Sequence, residues 1–213
     1  EVYDMHKASR NYENLNKVLF RGCGKYNIPQ LRPVYQDGRI PSDWISFNYA
    51  KSCKNPLTCG VHFFIDDYQF IRLWNDPDRY IDMLRHFDVV MTPDFSVYTD
   101  MPEALQIYNH YRKHWLGAYW QAHGMLVIPT ISWSDENSFE WCFDGEPSGG
   151  LVAVSSVGTQ QNPDAGKLFE YGFKELIDHL YPQKIILYGS FFPTEYKDLI
   201  VQIEPFQNKW RNK

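Results

Sequence analysis

Three aspartates offer the most direct chemistry in this sequence. The apolar run 61–65 ends in Asp66-Asp67-Tyr68, and the run 89–91 ends in Thr92-Pro93-Asp94, followed by Ser96, Tyr98 and Asp100. Carboxylates brought together this way have three uses. They split acid and base roles once their pKa values are pushed apart. One attacks an electrophilic carbon. Several hold a hard cation such as Mg²⁺ through oxygen ligands. Aspartate also caps helices by accepting from free backbone N–H groups. For Asp67, Asp100 and Asp135 capping weighs at least as much as chemistry. Asp94 follows a proline and precedes a loop rather than a helix, which weakens the cap explanation. Asp66 and Asp94 are therefore the preferred catalytic candidates, with Asp67 as helper or cation ligand.

Other apolar runs also end in polar residues. The segments are Ser46-Phe47-Asn48-Tyr49, Ser132-Trp133-Ser134-Asp135-Glu136, Ser155-Ser156-Val157-Gly158-Thr159 and Tyr188-Gly189-Ser190. Ser155, Ser156 and Ser190 could donate to a phosphate or sugar, while Gly158 and Gly189 could admit a ligand close to the backbone. Turn chemistry explains them almost as well. Trp133, Tyr68 and Tyr98 could stack on a base or sugar ring, against core or rim packing. The expected substrate-binding set is Tyr68, Ser96, Ser132, Trp133, Ser155, Ser156, Gly189 and Ser190.

His110 and His114 lie four apart on one helix face, the spacing of a metal pair. No HExxH motif accompanies them, so a surface or half-buried pair is expected and no metal site is assigned. Cys23, Cys53, Cys59 and Cys142 form no CxxC pair and no zinc-finger spacing. Free thiols in a reducing cytoplasm are expected, and Cys142 alone falls near the expected site. The piece GCGK (22–25) lacks the rest of a phosphate loop and reads as a turn. No GxSxG elbow is present.

The elements that must position these residues follow from the pattern. Residues 1–41 are polar and broken by Gly22, Gly24, Pro29, Pro33, Gly38 and Pro41. They read as an irregular N-terminal segment packed on a single α/β domain over 42–213. Apolar runs at 44–47, 61–65, 89–91, 126–131, 151–154, 185–188 and 199–203 read as strands, several buried on both faces as in a parallel sheet. Asp76-Pro77, Asp100 with Pro102, and Asn162-Pro163 announce helices between them. A further short helix is expected over 134–143. Alternating strands and helices imply right-handed βαβ units. With about seven strands, a compact or incomplete (β/α) barrel is expected, since eight strands usually need about 250 residues. An open doubly wound sheet is the alternative, although no Gly-rich turn follows the first strand. In both, ligands bind at the C-terminal strand ends.

Net charge is −5 and the pI about 5.8, which argues against strong non-specific DNA binding. Basic residues are scattered, densest at Lys209, Arg211 and Lys213. Aromatics reach 17%, and most are expected in the core. No run of about 18 apolar residues predicts a membrane span, no signal peptide is visible, and a cytoplasmic location is expected.

The blocks VHFFIDDYQF (61–70), VVMTPDFSVYTDMP (89–102), YRKHWLGAYWQAHG (111–124), VIPTISWSDENSFEWCFDGEP (127–147), VAVSSVGT (152–159) and ILYGS (186–190) resemble a family of bacteria, phages and mobile elements known only as a domain of unknown function. The resemblance spans roughly residues 20–200. It implies a mobile-element association and brings no activity or residue role. The placing of Asp66 and Asp94 is also similar, more distantly, to tRNA-guanine transglycosylase-like barrels, which exchange a base at an N-glycosidic bond through aspartates. The zinc-binding cysteine cluster and later nucleophile block of those enzymes are absent here. Two readings follow. One is an enzyme acting on a nucleotide, nucleic-acid base or glycosidic bond, with a divalent cation an open question. The other is a non-catalytic protein that binds a host or replication protein.

Overall fold

The computed structural model describes residues 17–35, 40–159 and 162–203. It begins with a small antiparallel hairpin, β1 (Gly22–Cys23) on β2 (Ile28–Pro29). The GCGK piece supplies β1 with Gly22-Cys23 and opens the turn with Gly24-Lys25. Gly24 takes φ +68° there, and an added Cβ would sit 1.7 Å from an Asp144 carboxylate oxygen, so only glycine fits.

Each of the seven apolar runs holds a strand. β3 (Asp43–Ser46), β4 (Cys59–His62), β5 (Val89–Met91) and β6 (Val127–Ile128) form one parallel sheet in that order. β7 (Leu151–Ser155), β8 (Lys184–Tyr188) and β9 (Ile200–Ile203) form a second. A parallel bridge between Thr130 and Ala153 joins them. There the Ile131 amide donates to the Ala153 carbonyl at 2.7 Å, and the Ala153 amide to the Pro129 carbonyl at 2.8 Å. Strand order thus follows chain order, with no reversal of the kind that marks a doubly wound sheet. Tyr188, ending β8, meets His62 and Phe64 at the end of β4, with ring centroids 4.9 and 4.7 Å apart. Three strands, β5 to β7, lie between β4 and β8 in this order, so the strands curl until their C-terminal ends face one another.

The helices are α1 (Arg72–Asn75), α2 (Ile81–Leu84), α3 (Glu103–Ala122) and α4 (Pro163–Leu180). Asn162 caps α4 as expected, its side chain accepting from the Asp164 amide at 2.9 Å. The left-handed Tyr181 ends that helix before Pro182. Asp76 and Asp100 do not cap. Pro77 and Pro102 hold the N-cap positions without a side-chain hydrogen bond. The expected 134–143 helix is a 3-10 turn over Glu136–Glu140, capped by Asp135, which accepts from the Ser138 amide at 3.2 Å.

α3 departs most from its sequence pattern. It buries Gln106, Asn109, His110, Lys113, His114 and Gln121 as well as apolar residues. Gln106 and Asn109 donate to loop carbonyls at 96–101. His110 and Lys113 meet Asp144, Thr130 and Glu146, and the described N-terminal stretch partners the rest. Trp115 Nε1 donates to the Val18 carbonyl at 2.8 Å. The Arg32 amide donates to Gln121 Oε1 at 2.9 Å, and Gln121 Nε2 to the Arg32 carbonyl at 2.8 Å. Much of the aromatic content is core, as expected. Phe63 packs against Phe47, Phe70 and Trp120 at 5.3, 5.8 and 5.7 Å. One buried cluster lies mainly around β3–β6 and α3, and another around β7, β8 and α4. The basic residues Lys209, Arg211 and Lys213 lie outside the described residues.

Candidate active site

Strand ends from β3 to β8 open onto one cleft with two lobes. The larger, about 830 Å³, is partly polar and includes Ser46, Asn48, His62, Asp66, Gln69 and Ser96. The smaller, about 610 Å³, is mainly apolar, with Ile131, Val154, Leu168 and Phe169. Asp94, Val97, Tyr98, Ser132, Trp133, Ser155 and Thr159 line both lobes. Volumes of this size suit small-molecule ligands.

Asp94 marks the boundary between the lobes. Two threonines fix the strand ends beneath it. The Thr130 amide donates to Thr92 Oγ1 at 2.8 Å, and Thr130 Oγ1 donates to the Thr92 carbonyl at 2.9 Å. Pro93 then turns the chain so that Asp94 enters the cleft. Protein encloses its carboxyl, which keeps a partial opening to the cleft and accepts no hydrogen bond from the described residues. Burial pushes its pKa from 3.8 up to about 7. The Lys113 ammonium opposes that rise, and the Asp67 charge adds to it.

The other two aspartates take different places. Asp67 is half-buried and turns away from its own short helix. Its carboxylate accepts from the Ser96 amide at 3.2 Å and from Ser96 Oγ at 2.9 Å, so capping does not explain it. Asp66 is exposed on the rim of the larger lobe. Among the described residues, the three do not form a group able to share one metal ion.

Of the eight residues put forward for substrate binding, Ser96, Ser132, Trp133 and Ser155 line the cleft and the other four do not. Tyr68 is 76% exposed and faces away from the lining. Ser156 is buried and donates through Oγ to the Ser190 carbonyl at 2.7 Å. Gly189, at φ +117°, sits so close to Ser156 that a Cβ would meet its Oγ at 2.6 Å. Internal packing, rather than approach to a ligand, explains that glycine. The Ser190 side chain is exposed outside the lining.

A buried ionic network behind the cleft floor escaped sequence reasoning. Lys113 is 1% exposed. Its ammonium donates to the Thr130 carbonyl at 2.8 Å and to Glu146 Oε1 at 2.7 Å. His114 Nε2 lies 2.9 Å from the same oxygen, and its Nδ1 lies 2.9 Å from the Pro29 carbonyl. Burial alone would raise the Glu146 pKa, but the Lys113 charge and the hydrogen bonds from Lys113 and His114 hold it below the usual glutamate range. Burial, with Lys113 close by, keeps His110 neutral, its pKa well below the usual range. The pair expected at the surface or half-buried is therefore fully buried. Lys113 and Glu146 lie 33 residues apart, and a basic triplet in a helix reads as a solvated face. His110, His114 and Glu146 place potential ligand atoms within 4.8 Å of one another. Cys142 is buried too, and desolvation drives its thiol far above the ordinary range, which removes it as a nucleophile.

Residues 20–207 match the family described as "Domain of unknown function (DUF4417)". The chain is 37% identical over 196 residues to the "Gene 1 protein" of Mycobacterium phage L5, covering 91% of this chain and 84% of the relative. It is 37% identical over 175 residues to the "Gene 1 protein" of Mycobacterium phage D29, covering 81% of this chain. There it spans 64% of the relative, a little under two thirds of its length. No solved structure matches the chain.

Proposed function

The chain belongs to the DUF4417 family, and from its cleft we propose an enzyme that acts on a nucleotide, a nucleic-acid base or a related glycosidic bond, with Asp94 as the reacting carboxyl. The observation that carries this reading is the position of Asp94 between a mainly apolar lobe and a more polar one, with a pKa near 7. A carboxyl that titrates near neutrality exists in both forms at working pH, as acid/base catalysis requires. The same residue, once ionised, could attack an anomeric carbon.

The two lobes suit the two halves of such a substrate. Trp133 and Phe169 offer flat apolar surface for a heterocycle. Asn48, Ser96 and Gln69 offer polar groups for a sugar or phosphate. Asp67 acts through Ser96, whose loop it holds, and is a positioning residue. Asp66 stands at the entrance. Sequential strand order and the meeting of β4 with β8 support an incomplete (β/α) barrel as the scaffold. Its strand ends are the usual place for such a site.

The experiment is a search for released or exchanged base. Wild-type protein and Asp94→Asn are incubated with nucleosides, nucleotides, RNA and DNA, and free base is quantified by mass spectrometry. The wild type should release or exchange a base, and Asp94→Asn should lose about 10²–10⁴-fold of that rate. A folded Asp94→Asn variant with the wild-type rate, or no turnover of any of these substrates, would overturn the proposal. The competing role, binding to a host or replication protein, would show as a stoichiometric partner retained by Asp94→Asn.

A further inference from the structure

We propose that His110, His114 and Glu146 form a buried site for a first-row divalent transition metal, such as zinc or iron. Their potential ligand atoms lie within 4.8 Å of one another, and each residue is buried. Each histidine directs one ring nitrogen at a backbone carbonyl, His114 Nδ1 at Pro29 and His110 Nε2 at Asp144, both at 2.9 Å. A carbonyl only accepts, so each of those nitrogens carries the proton. Metal-binding histidines use the same outer contact to fix ring orientation. The second nitrogen of His114, Nε2, which now donates to Glu146 Oε1 at 2.9 Å, gives up that proton when the ion binds. The rings stand 4.4 Å apart between centroids.

Glu146 supplies an independent observation. Its side chain is 0% exposed, and its Oε2 is buried without a hydrogen-bond partner. A buried carboxylate oxygen in that state is costly unless something meets it. Lys113 does not, because its ammonium is engaged by Oε1 and the Thr130 carbonyl. Lys113 thus serves as outer partner to the carboxylate. Binding an ion with ligands about 2.0–2.1 Å away replaces the proton that His114 Nε2 now shares with Oε1 at 2.9 Å and gives the orphaned Oε2 a partner.

The donor set decides the class of ion: two imidazole nitrogens disfavour Mg²⁺ and Ca²⁺, which prefer oxygen ligands. Two imidazoles and one carboxylate suit zinc or ferrous iron. None of the three residues lines the cleft, so the ion would brace the hairpin turn region, α3 and the Glu146 loop. This site stands apart from the reaction proposed for Asp94.

The full chain is stripped with chelator and titrated separately with Zn²⁺ and Co²⁺. One equivalent should bind, and Zn²⁺ should raise the melting temperature by roughly 5–10 °C at a hundredfold excess over its dissociation constant. The Co²⁺ form should show intense visible d–d bands. Its NMR spectrum should contain two paramagnetically shifted exchangeable imidazole N–H signals, one per carbonyl-anchored ring. His110→Ala should abolish these features, while His86→Ala should retain them. Failure of the wild type to bind either ion, or absence of the two shifted N–H signals, overturns the site whether or not His110→Ala folds. Wild-type binding by a folded His110→Ala also overturns it. Base release by Asp94 is measured separately, so either proposal can fail alone.

Discussion

Asp94 makes a stability prediction that needs no knowledge of substrate. Its folded-state pKa, about 7, lies above the ordinary 3.8. Between those values the folded protein holds the proton more tightly than the unfolded chain. Stability linked to Asp94 is therefore full below pH 4 and falls as pH rises through 7. The shift caps the cost at about 4 kcal/mol, and the partial opening of the carboxyl to the cleft makes on the order of 2 kcal/mol a better expectation. Asp94→Asn should then raise the melting temperature by roughly 4–8 °C at pH 8 and leave it nearly unchanged at pH 4. Equal shifts at both pH values would show that Asp94 is not buried at this cost. Asp67 predicts the opposite sign. Replacing it with Ala leaves the Ser96 amide and hydroxyl without their acceptor, at about 1–3 kcal/mol, measurable by urea titration at pH 7. A change below about 0.5 kcal/mol would mean that Asp67 does not hold the Ser96 loop. Residue types at strand ends made Asp94, Ser96, Ser132, Trp133 and Ser155 legible as cleft residues. The Lys113–Glu146 contact was not legible, because nothing local to either residue announces burial. His62 stayed hidden within an apolar run, and its contact with the strand-end Tyr188 was not legible, since only the curl of the strands brings the two together.

At the scale of elements, α4 forms a wall of the cleft and carries one glycine that matters to it. An added Cβ at Gly172 would lie 2.1 Å from the Trp133 indole. Alanine in a helix ordinarily gains up to about 1 kcal/mol over glycine. Here the helix has to retreat or the indole has to swing, so Gly172→Ala should destabilise the protein by about 1–3 kcal/mol. It should also change Trp133 fluorescence. A stabilised variant with an unchanged spectrum would refute the close packing of α4 on Trp133. The strands were legible because parallel strands buried on both faces form continuous apolar runs, and α4 because Asn162-Pro163 and Pro182 bound it. The bounds of α3 were legible too, but its N-cap was misread. A proline at the N-cap position supplies the start without any carboxylate cap. The many polar residues on α3 suggested water where loops and the N-terminal stretch lie instead.

At the scale of the whole molecule, the cleft straddles the seam between the two sheets. Within the second sheet, β7 and β8 pair over five positions from Leu151↔Lys184 to Ser155↔Tyr188. Among the described residues the sheets share ladder hydrogen bonding only at the bridge at Thr130 and Ala153, although one buried cluster spans both and takes in Leu151, Ala153, Ile186, Tyr188 and Ile203 of the second. A joint this narrow should open at lower free energy than the ladders beside it. Ile131 and Leu187 are both buried, at 1% and 0% exposure, so a difference in exchange between their amides reflects opening rather than static exposure. Hydrogen exchange followed by NMR should find the Ile131 amide at least about tenfold less protected than Leu187, equivalent to about 1.4 kcal/mol. Ser132 and Ser155 line the cleft from opposite sides of that seam. A ligand touching both ties the sheets together and should slow exchange at Ile131 more than at Leu187, since binding stabilises the closed joint by mass action. Equal protection without ligand would show that the two sheets open as one unit, and the cleft would then be a rigid site rather than one closed by its substrate.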